Sequence, residues 1–212
     1  MKTKDKILQA SLLLFNEEGE PNVSTVDIAN EMDISPGNLY YHFKGKDAII
    51  QTLYNRFETE LIEILKAPIE QTLNVEDSWF YLYVVFEEIY NFRFFYQNIS
   101  NILERNPLIA KRFKILLKHK YQTTHTILLA LSEKQIIIID DLQTIEVCQN
   151  INIILSHWLN YASLQDWPDD HVTIIHQGVF QIMSLISPYF TENYRHIYQE
   201  LRDLYQKLLH QD

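Results

Sequence analysis

Between Ser35 and Lys46 the chain concentrates groups able to contact a nucleic acid: Ser35-Pro36-Gly37-Asn38-Leu39-Tyr40-Tyr41-His42-Phe43, then Lys44-Gly45-Lys46. Reading a duplex needs short polar side chains at base edges and donors aimed at phosphate oxygens. Asn38 offers an amide able to pair with adenine, and Gly37 allows close backbone approach. Tyr40 and His42 can donate to phosphate or meet a thymine methyl with their ring edges. Leu39 and Phe43, four residues apart, share a helix face and should pack inward. Lys46 adds a cation beside the N–H groups that open the next helix, a site suited to one phosphate.

These groups need a scaffold, and the preceding residues supply one. Ser24 can cap a short helix, with Asp27 as a short-armed capping-box partner. Val26, Ile28, Ala29 and Met32 would form its apolar side. Met32-Asp33-Ile34 makes the turn, with Ile34 as the plug between helices. Ser35 caps the second helix, and Pro36 takes its first position, where a missing N–H costs nothing. Helix, short turn, helix is the layout of a module whose second helix enters the major groove.

The string from Ser35 to Asp47, followed by apolar Ile49-Ile50 and preceded by Val26-Asp27-Ile28-Ala29, resembles the signature of TetR-family transcriptional repressors. The resemblance is dense over roughly the first 50 residues and inherits only architecture beyond them. It implies an all-α fold: a three-helix DNA-binding head with its helix-turn-helix (1–50), then a helical bundle for ligand binding and dimerisation (51–212). It assigns Thr25 and Lys46 as phosphate clamps, and Ser35, Pro36, Gly37, Asn38, Tyr40, Tyr41 and His42 as the groove-facing set. It further implies a homodimer on a palindromic double-stranded operator, released by a small-molecule effector.

Charge pulls the other way. Net charge is −10, and the first 50 residues hold five lysines, no arginine and eight acids, whereas a DNA-binding head should be basic. This favours the alternative of a helical protein-interaction module without sequence-specific DNA binding. Local sign softens the objection, because Ile34 to Lys46 holds two lysines and no acid, and Lys2, Lys4 and Lys6 cluster at the N-terminus. The expectation is modest, strongly salt-dependent affinity.

At 212 residues, with four glycines, six prolines and 47% hydrophobic residues, the chain can bury a full core in helices joined by short connections. A single cysteine, no signal-peptide pattern and no long apolar run suit a cytoplasmic protein without a membrane span. Helix one should start after Thr3 as its cap, bury Ile7, Leu8, Leu12, Leu14 and Phe15, and end at Gly19. A fourth helix should span about 46–66, and Asn74 with Asp77 should begin a fifth.

From Trp79 to Tyr96 ten of eighteen residues are aromatic. Trp79, Tyr83, Phe86 and Tyr90 share one helical face, with Glu87 beside it. With Tyr121, His125, Trp158 and Tyr161 they are candidates for an apolar pocket holding a flat or hydrophobic, neutral or cationic effector. Simple core packing is the competing explanation for most of these rings. A short helix should follow at about 97–105, then a long one from Pro107 to near Leu131, whose basic run from Lys111 to Lys120 reads as a solvated face, the alternative being a second basic surface for DNA or an anionic ligand. Ile136 to Ile139 reads as a connection against the core. Two helices at about 142–164 and 170–187 are apolar on more than one side, so Ile151, Ile154, Leu155, Ile175, Val179 and Ile182 are the expected dimer contacts. Thr191 should cap a last helix, 192–210.

The eight histidines lack metal-ligand spacing, so no metal is expected. No phosphate-binding glycine loop or nucleophile elbow occurs, Glu87 and Glu88 diverge by about 100° on a helix, and Cys148 sits on an apolar helix. Neither an enzyme nor a cofactor is expected.

Overall fold

The computed structural model describes residues 2–70, 75–165 and 170–209. Among them, eleven α-helices with short 3₁₀ and π turns carry the regular structure, beside one isolated antiparallel bridge between Ile137 and Phe190. The fold is all-α. The chain forms two compact units, Met1–Glu60 with Asn91–Lys114, and Leu61–Tyr90 with Ile115–Asp212. The first unit is thus discontinuous and takes in a stretch that lies in the middle of the sequence.

In the first unit, α1 (Thr3–Leu14) follows Lys2 with no side-chain cap, so Thr3 lies inside the helix rather than ahead of it. The helix widens into a π turn, Phe15–Gly19, and Gly19 stops it at φ 83°, a conformation that costs a residue without Cβ little. Ile7, Leu8 and Phe15 are buried, while Leu12 and Leu14 are half-exposed. Next come α2 (Thr25–Glu31), α3 (Pro36–His42) and α4 (Lys46–Glu70), the last continuing beyond the expected stop at Lys66. The Asn74 start signal lies outside the described residues; α5 covers Val75–Asn91. The short helix expected at about 97–105 is α7 (Ile99–Arg105), and an additional one, α6 (Arg93–Gln97), precedes it, the two separated at Asn98 with φ −119° and ψ 22°. The aromatic run splits here. Phe92, Phe95 and Tyr96 stack around Phe57 of α4 at centroid distances of 5.3, 6.0 and 5.7 Å, filling the core of the first unit.

Helix α8 (Pro107–Glu133) begins in the first unit and continues in the second. There it is joined by α9 (Asp141–Ala162), α10 (His171–Ile186) and α11 (Arg195–Leu209). Asp140 and Gln143 close a reciprocal capping box on α9, and Asp170 caps α10 through Thr173 N–H at 2.8 Å. Ile136 and Ile137 are buried in the connection before α9, and Ile138 is exposed. Thr191 does not cap a helix: its hydroxyl donates to the Gln135 and Ile136 carbonyls, and two short 3₁₀ turns precede α11. Helix α10 crosses its neighbours closely at Gly178, where an added Cβ would stand 2.7 Å from the Phe86 ring and 2.8 Å from Trp158 Nε1.

Candidate nucleic-acid interface and effector cavity

The helix-turn-helix forms as its capping residues dictate. Ser24 Oγ accepts from Asp27 N–H at 3.3 Å, and the Asp27 carboxylate takes both the Ser24 N–H (2.8 Å) and its hydroxyl (2.6 Å). The Ser24 hydroxyl, then its backbone N–H, hold the Asp27 carboxyl below the usual carboxylate range. Asp33 turns the chain at φ 52°, and Ile34 N–H donates back to Ala29 at 3.0 Å. Ile28 and Ala29 are fully buried, Met32 and Ile34 are half-buried, and Val26, expected inward, is 48% exposed. Helix α2 therefore presents a narrower apolar face than its composition suggests. Ser35 caps α3 through Asn38 N–H at 3.2 Å, and Pro36 occupies its first position.

Leu39 and Phe43 anchor α3 in the core, which turns the opposite face outward. Ser35, Pro36, Gly37, Asn38, Tyr40 and Tyr41 are exposed, and Thr25 and His42 are half-exposed. Tyr41, 78% exposed, meets His42 edge-on at 5.2 Å. Lys44 Nζ sits 4.5 Å over the Tyr40 ring, so a cation stands beside the polar face. The candidate contacts thus occupy one solvent-facing surface.

Lys46 is the exception. Its ammonium donates to the Glu20 carbonyl (2.8 Å) and the Val23 carbonyl (3.0 Å), and lies 3.0 Å from Glu20 Oε1. Glu20 is fully buried, and Arg105 of α7 reaches the same oxygen at 2.9 Å. All three ammonium protons therefore have acceptors inside the protein, and a phosphate must displace one of them. Sequence reading missed this network. Glu20 follows Gly19 outside any helical period, and its second cation lies 85 residues away.

The second unit contains a cavity, but not on the expected face. It lies against Ser78, Tyr81, Leu82 and Val85 of α5, and Lys120, Thr124, Ile127 and Leu128 of α8. Residues of α4, α9 and α10, such as Leu65, Leu155 and Met183, complete it. None of Trp79, Tyr83, Phe86, Glu87, Tyr90, Tyr121, His125, Trp158 or Tyr161 lines it. The aromatic stripe of α5 packs instead on neighbouring helices. Trp79 stacks on His176 at 6.0 Å and donates to the Tyr205 hydroxyl at 3.1 Å, Tyr83 meets His176 at 5.1 Å, and Tyr90 meets His171 at 5.8 Å. Burial beside these rings lowers the pKa of His176. Phe86 packs under Gly178, and Glu87 faces solvent. Tyr121 stacks on His125 at 6.2 Å, and Trp158 donates to the Ile174 carbonyl at 2.8 Å with Tyr161 against its ring. The cavity face begins one residue earlier than the expected stripe, at Ser78 rather than Trp79, a rotation of about 100° around the helix. Lys120, grouped with the solvated lysines of α8, is fully buried against this cavity, and burial pushes its pKa down to about 7.

The expected dimer contacts are also corrected. Ile151, Leu155, Ile175, Val179 and Ile182 are buried in this chain's own second unit, because the inward faces of α9 and α10 pack on each other and on the cavity. Ile154 alone of the six is half-exposed, in a surface groove with Ile153, His157, Trp158, Tyr161 and Gln181. Along α9 an apolar stripe stays at the surface: Leu142, Ile145, Ile153 and Tyr161, with Leu164 just beyond the helix. No helix among the described residues is long and apolar enough to cross a membrane. No group of three or more metal-ligating side chains converges among them.

Two family profiles match the chain: "Bacterial regulatory proteins, tetR family" over residues 7–58, and "Bacterial transcriptional repressor" over residues 56–207. The chain belongs to the TetR family, whose members are DNA-binding transcriptional regulators and not enzymes. A crystal structure of a TetR-family regulator from Marinobacter aquaeolei VT8 superposes with a TM-score of 0.87 at 32% identity, covering 97% of this chain and 99% of that one. The Escherichia coli K12 regulator UidR is 30% identical over 121 residues, 57% of this chain and 60% of UidR. The Bacillus subtilis probable regulator YttP is 35% identical over 57 residues, 27% of this chain and 28% of YttP.

Proposed function

We propose that the chain is a ligand-responsive transcriptional repressor that binds a palindromic operator as a homodimer in the cytoplasm and is released by a small, largely apolar effector. The observation that carries this reading is the outward face of α3. A capped helix held by Leu39 and Phe43 exposes Gly37, Asn38, Tyr40 and Tyr41 at the end that would meet base edges. Thr25, Ser35, Pro36 and His42 border it, and Lys46 serves both the fold and, after exchanging one carbonyl, a phosphate.

A second copy supports the specificity that one short helix cannot supply, since two-fold symmetry pairs half-sites roughly 34 Å apart. The exposed stripe of α9 and the groove at Ile154 and Trp158 are the surface that such a copy would cover. The cavity of the second unit offers the effector an apolar wall with few polar groups. Helices α4 and α8 each contribute residues to both units, so a ligand preferring one arrangement of the second unit can shift the DNA-binding equilibrium of the first.

Selection of bound duplexes from a randomised pool, at two salt concentrations, tests the reading. It expects enrichment of an inverted repeat occupied by two chains. Recovery of unrelated sequences, or no DNA retention at low salt, overturns it.

A further inference from the structure

A buried carboxylate needs counter-charge, and Glu20 receives two cations on one oxygen. Its side chain has no solvent exposure, and Oε2 is buried without a hydrogen-bond partner. All the compensation therefore falls on Oε1, with Lys46 Nζ 3.0 Å away and Arg105 Nη2 2.9 Å away. The Lys46 ammonium also donates to the Glu20 and Val23 carbonyls. The Arg105 side chain is 36% exposed, so its guanidinium spans from the surface to the buried oxygen. Asp47, beside Lys46 on α4, stands 3.9 Å from that guanidinium, beyond hydrogen-bond distance and facing solvent. All four residues belong to the first unit.

Charge balance singles out Arg105. When Lys46 exchanges a carbonyl for a phosphate oxygen, its ammonium has two anions against it, and one of them, Glu20, is out of reach of water. Charges shielded from water interact far more strongly than charges within it, so two anions on one cation repel at close range. A second cation on Glu20 removes that penalty. Arg105 supplies it with a guanidinium that stays protonated at any working pH and holds Oε1 while Lys46 turns toward the duplex.

We propose that Arg105 is a positioning residue for DNA binding: it neutralises Glu20, which frees Lys46 for a phosphate, and does not itself touch the duplex. This rests on the reading of α3 and Lys46 as the DNA interface. It adds to that interface a residue of α7, 85 positions beyond Glu20 in the chain. Glu20 is then a brake on Lys46, and Arg105 the group that eases it.

Fluorescence anisotropy of the full chain on a selected and a scrambled duplex, over a series of salt concentrations, tests the proposal. Arg105→Gln should weaken both duplexes about five- to tenfold and reduce the slope of log affinity against log salt by roughly 0.9, the share of one phosphate. Arg105→Lys keeps the charge and should keep the slope. Glu20→Gln should tighten both duplexes, and Glu20→Gln with Arg105→Gln should recover the slope and bind within about threefold of the unaltered chain. A purely structural Arg105 would change melting but not the slope. An unaltered slope in Arg105→Gln overturns the proposal. So does a double variant that binds no better than Arg105→Gln, which is the behaviour of a guanidinium contacting phosphate directly. If circular dichroism shows Arg105→Gln unfolded, Glu20→Gln alone decides, and binding no tighter than that of the unaltered chain overturns the proposal. Absence of salt-dependent binding by the unaltered chain overturns the DNA reading as well, whereas the other contrary outcomes leave that reading standing.

Discussion

Lys46 and Glu20 form the closest link between the start of α4 and the segment ahead of the helix-turn-helix. The ammonium lies 3.0 Å from a carboxylate with no solvent exposure and also holds its backbone carbonyl at 2.8 Å. Lys46→Ala therefore does more than remove a phosphate contact. It leaves Glu20 to Arg105 alone, and urea denaturation should show a loss of about 1–3 kcal/mol. Adding Glu20→Gln should restore part of that loss by removing the buried charge. If Lys46→Ala unfolds at the same urea concentration as the unaltered chain, the pair carries no structural weight.

Lys120 should make stability rise with pH. Its pKa of about 7 in the folded chain lies below the ordinary 10.5, so between those values the unfolded chain binds more protons. Stability should climb across that window by up to roughly 1.4 kcal/mol per pH unit from this group. Lys120→Met should melt higher than the unaltered chain at pH 7, with the gap shrinking by pH 9. A gap that is constant with pH contradicts the depressed pKa.

Gly178→Ala sets two effects against each other. Alanine favours a helix over glycine by roughly 1 kcal/mol. Its Cβ, however, meets the buried Phe86 ring and Trp158 Nε1 within 2.8 Å, where repacking costs about 1–3 kcal/mol. A lower melting temperature by circular dichroism is expected, and a higher one would show that the α9–α10 contact has slack.

The surface and core positions of α9 and α10 should separate by assay. Ile153→Asp, at a position 60% exposed, should convert a dimer to a monomer in sedimentation velocity with its circular dichroism unchanged. Val179→Asp, at a position with no exposure, should lose the helical signal itself, because it buries an unpaired charge. An Ile153→Asp variant that remains dimeric at micromolar concentration rules out the α9 stripe as the interface.

What the sequence made legible follows locality. Ser24 with Asp27, Ser35 with Pro36, and Leu39 with Phe43 are separated by at most four residues, so capping rules and helical period suffice to read them. The Glu20–Arg105 pair and the choice between the Ser78 and Trp79 faces of α5 depend on which helices arrive from far along the chain. Aromatic density misled because rings pack a core as readily as they line a cavity. Lys120 was hidden among lysines that are exposed, Lys111, Lys114 and Lys118, and only the packing of α8 singles it out.

The central claim is that α3 reads DNA sequence, and Asn38 is the side chain on which it turns. The decisive measurement is fluorescence anisotropy of the unaltered chain and Asn38→Ala on a selected duplex and on a scrambled one, at matched salt. The unaltered chain should prefer the selected duplex, and Asn38→Ala should lose about 1–3 kcal/mol there while binding the scrambled duplex as before. Equal affinity of the unaltered chain for both duplexes, or an Asn38→Ala variant with undiminished preference, would contradict that claim.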